Sequence, residues 1–369
     1  MPGRNIRAIA FYLPQYHPIS ENDEWWGKGF TEWTNVTKAK PLFKGHYQPC
    51  LPADLGFYDL RLPEVREAQA KMAAEYGIEG FCYWNYWFGN GRQILERPID
   101  EILATGKPGF PFCLAWANET WSGIWHGNPK KILIEQTYPG REDYTNYFNY
   151  LLKAFHDDRY IKVDGKPLFC VNAPHLIPDM LFFTNLFREL ALQNGLKGLY
   201  IVANTGSADW DPVANGCDAS TLVLVGNLYK GLPKANKLKQ QLLKRSWFVN
   251  AYKKILKKPV RIFKYKDVIP HLISTQKVDY DSYPCVVPNW DNSARSGLNS
   301  MILHQSTPKL FEQHLTDAIN LIRDNPPDKR IIFIKAWNEW AEGNYLEPDL
   351  KFGKQYLEVV KKVLNARHL

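Results

Sequence analysis

The chain has 369 residues, of which 45% are hydrophobic, 14% aromatic and 23% charged. This composition excludes a disordered or fibrous chain and predicts a globular protein with a large core. No stretch reaches 18 consecutive apolar residues, and the first residues lack the apolar segment of a signal peptide. We therefore expect no membrane span and a cytoplasmic location.

The net charge of +8 is concentrated in one part of the chain. Residues 230–266 contain 13 Lys and Arg and no Asp or Glu, so the remainder is net negative. The six cysteines are irregularly spaced, without a CxxC pair. We expect reduced thiols in the core, with neither a disulfide framework nor a zinc site.

Eight short apolar runs rich in β-forming residues recur along the chain. They are continuous and not alternating, which is typical of strands buried on both faces of a parallel sheet. In chain order the predicted strands are 7–13, 78–84, 110–116, 167–172, 199–204, 217–224, 283–288 and 330–336. Segments with helical spacing lie between and after them, at 63–76, 143–155, 178–194, 309–323 and 354–366.

Eight strand-then-helix units predict a single (β/α)8 TIM barrel over residues 1–369, with an open doubly wound sheet as the alternative. Two long connections interrupt the repeat. Residues 18–62 follow the first strand and should cover the active face. Residues 225–282 follow the sixth strand and include the basic stretch.

Nearly every predicted strand runs into polar or aromatic residues at its carboxyl end. A barrel gathers these ends on one face, where its active site lies, so we predict a shared sugar-binding pocket. Ordinary turn chemistry and structural hydrogen bonding are the alternatives. The predicted substrate contacts are Tyr12, Tyr16, His17, Trp84, Tyr86, Trp116, Asn118, Glu119, Asn289, Trp290, Trp337 and Asn338. Glu32, Trp33 and Asp291 are further candidates, each with an even structural alternative.

Glu339 and Glu342 stand three residues apart at the end of the last strand. If the chain turns helically there, the two carboxylates face one ligand, as glycosidic chemistry requires. Their mutual repulsion would hold one proton in the site. The alternatives are acids favoured by a helix dipole, or a different pair that includes Glu347 or Asp349.

The segment 337–343, Trp-Asn-Glu-Trp-Ala-Glu-Gly, resembles the last-strand motif of glycoside hydrolase family 99, whose members are endo-acting α-mannosidases and α-mannanases on a (β/α)8 barrel. The opening segment 10–18, Ala-Phe-Tyr-Leu-Pro-Gln-Tyr-His-Pro, is similar to the WbsX-type proteins of polysaccharide and O-antigen biosynthesis. Further matches lie at 22–33, 95–98 and 116–119, so the resemblance covers about residues 7–350.

The resemblance implies retention of configuration without a carboxylate nucleophile. Glu339 would take the proton of the sugar 2-OH, which attacks C1 to give a 1,2-anhydro sugar. Glu342 would protonate the leaving oxygen and then activate water. No metal and no cofactor are implied. Ala341 stands where the hydrolases tend to carry His, which is a departure from the family pattern.

Three functions follow from these observations. The leading one is a retaining hydrolase acting on an α-linked, manno-configured glycan of surface polysaccharide, and the rival is a glycosyltransferase of polysaccharide biosynthesis. The third is a non-catalytic glycan-binding barrel. Asp209-Trp210-Asp211 matches the DxD pattern of some transferases, although a capped turn before Pro212 is the simpler interpretation.

The basic stretch 230–266 has two interpretations. Residues 234–256 have the pattern of an amphipathic basic helix. One interpretation is a solvated helix on the barrel rim. The other is peripheral contact with an anionic membrane, on its cytoplasmic face, or with the pyrophosphate of a lipid-linked glycan. We expect no binding of nucleic acid, because stacking platforms and known motifs are missing.

Overall fold

The structure, a computed structural model, describes residues 6–123, 128–207, 209–225, 228 and 245–366. Within these residues, eight parallel strands form the central barrel. They are β1 (Arg7–Tyr12), β2 (Gly80–Trp87), β3 (Phe112–Trp116), β4 (Lys166–Asn172), β5 (Tyr200–Thr205), β6 (Ala219–Leu222), β7 (Asp281–Val286) and β8 (Ile331–Ile334).

The barrel closes through its first and last strands. Arg7 of β1 pairs with Ile331 of β8, and Ile9 pairs with Gly80 of β2, both in parallel. Each of the eight predicted strands overlaps an observed one, and the (β/α)8 barrel is confirmed. The strands were recognisable because barrel strands are buried on both faces, so almost every residue in them is apolar.

Helices cover the outside of the barrel and the connections. They are α1 (Ser20–Trp26), α2 (Glu32–Lys38), α3 (Pro63–Glu75), α4 (Arg97–Thr105), α5 (Arg141–Phe155), α6 (Met180–Gln193), α7 (Ser246–Leu256), α8 (Tyr265–Val268), α9 (Ser293–Ser296), α10 (Pro308–Ile322) and α11 (Gln355–Asn365). Minor strands are Gln93–Ile94, Trp121–Gly123, Asn128–Ile134, Lys162–Val163, Arg261–Lys264, Met301–His304, Asn338–Glu339 and Asn344–Tyr345.

Local signals explain where several helices begin. The Asp179 carboxylate accepts a hydrogen bond from the Phe182 amide at 2.8 Å at the start of α6. The Thr307 hydroxyl accepts from the Leu310 amide at 3.3 Å, and Pro308 occupies the first turn of α10. These caps satisfy amides that have no partner inside the helix. The five predicted helices are confirmed to within two residues at each end, whereas α4 was not predicted.

The first predicted insertion contacts the chain just beyond the carboxyl end of β1. Residues 18–62 carry α1 and α2, and the Glu32 amide donates to the Gln15 carbonyl just beyond β1. Of the predicted basic helix 234–256, residues 234–244 lie outside the described part of the chain, and the remainder forms α7. The description of residues 1–369 as one catalytic domain stays a prediction.

The six cysteines are buried free thiols, as predicted. No helix in the described ranges combines the length and the apolar character needed to cross a bilayer.

Candidate active site

A cleft of about 340 Å³ opens at the carboxyl ends of the barrel strands. It contains both predicted catalytic glutamates together with aromatic and basic side chains. Its lining residues are Leu13, Gln15, Trp84, Tyr86, Ala117, Glu119, Trp121, Asn172, Trp290, Arg295, Lys335, Glu339 and Glu342.

A tight turn after β8 brings the two glutamates into this cleft. Residues Asn338–Glu339 pair with Asn344–Tyr345, and the intervening residues Trp340–Glu342 form one turn of 3₁₀ helix. Gly343 ends the turn at φ 60°. A β-carbon there would lie 2.8 Å from the β-carbon of Asp291 and 2.9 Å from its amide nitrogen. Only glycine fits both the left-handed backbone and this close approach.

Glu339 is surrounded by donors that favour its charged form. The Lys335 ammonium lies 3.0 Å from both carboxylate oxygens, and the Trp84 indole N–H donates at 2.8 Å. Asn344 donates at 3.3 Å. Burial opposes ionisation, but Lys335 and the Trp84 hydrogen bond outweigh it and hold the pKa of Glu339 below its ordinary value. Glu339 is therefore a carboxylate at neutral pH.

Glu342, in contrast to Glu339, lies in surroundings that favour its protonated form. Its Oε1 accepts a hydrogen bond from Arg295 at 2.6 Å, while the side chain is 18% exposed to the cleft. Burial raises the pKa of Glu342 to about 7; Arg295 opposes this shift and the charge of Glu339 adds to it. Glu342 can therefore hold a proton at neutral pH and release it in the cleft.

Arg295 joins Glu342 to a third carboxylate. Its guanidinium donates to Glu32 of α2 at 2.5 Å, and the same Glu32 oxygen accepts from the Ala341 amide at 3.1 Å. Glu32 has no exposed surface, and burial raises its pKa against the pull of Arg295. Residues 18–62 therefore supply a buried acid that fixes both the cation and the backbone next to Glu342.

Arg295 and Lys335 were missed at the sequence level. Arg295 lies in the short helix α9 beyond β7, and Lys335 immediately follows β8. Neither belongs to a recognisable spacing of charged residues. For Lys335 a signal was available: a lysine that interrupts the apolar run 331–337 must be buried, and a buried lysine needs an acid nearby.

Aromatic side chains form much of the remaining wall. Trp84, Tyr86 and Trp290, all predicted contacts, line the cleft together with Trp121. The Lys335 ammonium lies 5.0 Å from the Trp84 ring centroid and 5.9 Å from that of Trp290. Flat apolar faces next to charged groups suit a ligand with both hydroxyls and C–H faces, such as a sugar.

Glu119 also lines the cleft, as predicted, and accepts a hydrogen bond from Asn172 at 2.7 Å. Asn289 does not line it and borders a neighbouring cavity of about 100 Å³. Next to that cavity, Asp291 accepts from His46 at 2.7 Å and from Gln48 at 2.9 Å. The Asp291 amide also donates to the Glu342 carbonyl at 2.6 Å, so this residue supports the turn that ends at Gly343.

The other predicted contacts at the first strand lie away from the cleft, which corrects the prediction. Tyr12 is 1% exposed, and its hydroxyl donates to Gln69 of α3 at 2.7 Å. Tyr16 is fully buried, and its hydroxyl donates to the Asn338 carbonyl. His17 is 2% exposed, and burial lowers its pKa. Successive residues of a strand point to opposite sides, so a strand end is not by itself a place in the pocket.

Four more predicted contacts have structural roles. The Trp116 indole donates to the Trp87 carbonyl at 2.9 Å, and the Asn118 amide donates to Tyr138 at 3.2 Å. Trp337 is fully buried and packs against Phe81 with 5.1 Å between ring centroids. The side chain of Asn338 ties the last turn to Leu13, accepting from its amide at 2.7 Å and donating to its carbonyl at 3.1 Å.

At Asp211 of the DxD pattern, the structure shows a capped turn, which was the simpler interpretation. Its Oδ1 accepts hydrogen bonds from the Val213 amide at 2.9 Å and the Ala214 amide at 3.0 Å, so it caps a turn after Pro212. In the described ranges, no group of three or more His, Cys, Asp or Glu side chains is placed to hold a metal ion.

Comparison with known families decides the relationship. Residues 8–360 match the family described as "Glycosyltransferase WbsX". The chain belongs to the WbsX family. It is 37% identical over 358 residues to the uncharacterized protein WxcX of Xanthomonas campestris pv. campestris strain B100, covering 96% of this chain and 49% of that protein. The relative in strain ATCC 33913 is equally similar. The chain therefore spans about half the length of these curated relatives.

Solved structures show the same fold. The family 99 endo-α-mannosidase of Bacteroides thetaiotaomicron aligns with a TM-score of 0.54 at 16% identity, over 97% of this chain and 96% of the enzyme. A protein described as glycoside hydrolase-like aligns with a TM-score of 0.59 at 15% identity, over 97% of this chain and 94% of that one. At this level of identity the similarity establishes the (β/α)8 barrel fold alone.

Proposed function

We propose that this WbsX-family chain is a retaining glycosidase-like enzyme that cleaves an α-linked, manno-configured glycan of surface polysaccharide. Glu339 acts as the base toward the sugar 2-OH, and Glu342 acts as the acid at the leaving oxygen and then as the base that activates water. The supporting observation is the opposite protonation of two glutamates that line one cleft: the pKa of Glu339 is lowered and that of Glu342 is raised to about 7.

In the first step Glu339 takes the proton of the 2-OH, and O2 attacks C1 as the glycosidic bond breaks. Glu342 gives its proton to the leaving oxygen. In the second step Glu342 takes a proton from water, which attacks C1. The C1–O2 bond breaks, and O2 takes its proton back from Glu339. Two inversions at C1 give net retention, and each glutamate returns to its starting state.

The ionic environment of the cleft supports this division of roles. Three acidic groups, Glu32, Glu339 and Glu342, surround two cations, Arg295 and Lys335. Buried charges are costly unless they are balanced, so the surplus acid retains a proton. Lys335 neutralises Glu339 directly, whereas Glu32 and Glu342 share Arg295. Of these two acids only Glu342 is partly exposed, so a proton that it holds is available to a ligand in the cleft.

The test is an activity screen with stereochemical analysis. The protein is offered a panel of α-mannans and lipid-linked oligosaccharides, with and without nucleotide sugars, and the products are followed by NMR. Release of a reducing sugar with retained configuration supports the proposal. It should be lost in Glu339→Gln and Glu342→Gln, but not in the control Glu358→Gln on the exposed side of α11. Binding of a glycan without turnover would instead support a non-catalytic glycan-binding barrel.

A glycosyltransferase is the second candidate, favoured by the description of the family. The same cleft would make a glycosidic bond if a sugar hydroxyl replaced water in the second step. Strict dependence of product formation on a nucleotide sugar would support this candidate and contradict the hydrolase. For either candidate we also propose that the protein is located in the cytoplasm and that its glycan is lipid-linked.

A further inference from the structure

Helix α7 exposes apolar side chains on one side. Trp247 is 63% exposed and Ile255 is 75% exposed. With Ala251 between them they recur every four residues, which places them along one side of a helix. Three of the twelve exposed large hydrophobic residues in the described part of the chain lie in this 11-residue helix, the third being Leu256 at 50%. Water is an unfavourable environment for such a surface.

The same surface is strongly basic. Residues 245–266 contain eight Lys and Arg and no acid. Lys254, Lys257 and Lys258 are exposed, at the end of α7 and just after it. Exposed apolar groups within a one-sign positive patch complement a surface that is both anionic and apolar beneath its charges. A soluble polyanion would satisfy only the charges, whereas an anionic bilayer satisfies both.

Helix α7 is attached to the active end of the barrel. The Lys253 ammonium donates to the Asn299 side chain at 2.5 Å, and Arg261 donates to the Asn299 carbonyl at 2.5 Å. The strand Arg261–Lys264 pairs in parallel with Met301–His304. Asn299 is four residues beyond Arg295, which lines the cleft. The basic surface therefore contacts the connection after β7 that supplies Arg295 to the wall of the cleft.

We propose that α7 and residues 257–266 bind the surface of an anionic lipid bilayer and hold the cleft next to it. Trp247 and Ile255 enter the headgroup region, while the lysines contact anionic headgroups. If the cleft has the proposed function, its substrates are then glycans anchored in that bilayer. This second statement rests on the proposed function, whereas bilayer binding does not.

Vesicle sedimentation of the full chain tests the proposal without any glycan. Vesicles of phosphatidylcholine alone are compared with vesicles containing phosphatidylglycerol, at low and high salt. We expect binding to the anionic vesicles that falls as salt rises. Lys254→Glu/Lys257→Glu/Lys258→Glu should lower the partition coefficient by about tenfold or more, because each basic residue near the surface adds to the attraction. Trp247→Ser/Ile255→Ser should lower it by about tenfold through lost apolar burial.

A matched control keeps the overall charge change constant. Lys71→Glu/Lys107→Glu/Lys277→Glu alters three exposed lysines on other parts of the barrel and should bind vesicles like the unmodified chain. Equal loss in this control would overturn the proposal, since net charge alone would explain binding. Absence of binding to anionic vesicles, or equal affinity for a single-stranded RNA, would overturn it too. Hydrolysis of a soluble α-mannan oligosaccharide reports separately on the cleft.

Discussion

Glu342 and Glu347 both have a pKa raised to about 7, chiefly by burial, yet they lie in different surroundings. Glu342 faces the cleft beside a cation. Glu347 is 2% exposed, and its oxygens accept hydrogen bonds from Tyr58 at 2.9 Å, Gln69 at 2.7 Å and Trp340 at 2.6 Å. A raised pKa therefore identifies a buried acid, whereas access to a cleft makes an acid available for chemistry.

The largest expected effect separates these two acids by activity. Glu342→Gln removes the proton donor and should lower kcat/KM by about 10²–10⁴, the range that general acid–base catalysis contributes. Glu339→Gln should have a loss of similar size. Glu347→Gln should leave kcat/KM of the folded protein nearly unchanged. Steady-state kinetics on the glycan identified by the screen measure all three, and a Glu347→Gln loss as large as that of Glu342→Gln would contradict the distinction.

Arg295 should matter for stability as well as activity. Arg295→Met leaves Glu32 and Glu342 without their shared cation and should lower the unfolding free energy by about 3–5 kcal/mol. Arg61→Met, which removes an exposed pair with Asp59, is the matched control and should cost about 0–1 kcal/mol. Denaturant titration measures both. Similar costs for the two variants would show that the buried pair has no special role.

Glu347 should contribute to the stability of the fold but not to catalysis. In Glu347→Gln, one amide nitrogen replaces an acceptor oxygen and faces a donor, so the unfolding free energy should fall by about 1–3 kcal/mol. Because a raised folded pKa means that the folded state keeps its proton longer, the unmodified protein should lose stability as pH rises from about 4.5 to about 7. This slope should be smaller in Glu347→Gln. An unchanged slope would argue against a protonated Glu347.

The smallest expected effect is a shift of a pH profile. Lys335→Met removes the cation that lowers the pKa of Glu339, so this pKa should rise. The base must be ionised, and activity should then be lost at a higher pH on the acidic side of the kcat/KM profile. Lys335→Arg keeps the charge and should shift the acidic side of the kcat/KM profile less. If the acidic side does not move in Lys335→Met, Glu339 is not the group whose ionisation controls it.

Much of the fold was predictable because barrel strands are buried on both faces and appear as continuous apolar runs. The two glutamates were predictable from their spacing and from a long motif. The residues that form the wall of the pocket were less predictable. Tyr12 and Trp84 both lie toward the carboxyl end of a strand, but Tyr12 contacts Gln69 of an outer helix while Trp84 lines the cleft. Strand register decides between these orientations, and a sequence of apolar residues on both faces does not reveal it.

The pairing of Arg295 with Glu32 could not be predicted from the sequence for a related reason. Arg295 and Glu32 are 263 positions apart and meet only because residues 18–62 contact the end of the barrel. The value of a charged residue depends on which opposite charge it reaches, and that depends on tertiary structure. Ion pairs over such separations follow no local pattern.

The opposite protonation of Glu339 and Glu342 is tested most directly by a carboxyl ¹³C NMR titration of the protein labelled at the glutamate side chains, with Glu339→Gln and Glu342→Gln used for assignment. We expect the Glu342 resonance to titrate near pH 7, while that of Glu339 should show an ionised carboxylate throughout the neutral range and titrate below its ordinary pKa. A Glu342 that is already ionised at pH 5, or a Glu339 that takes up its proton near neutrality, would contradict the assigned roles.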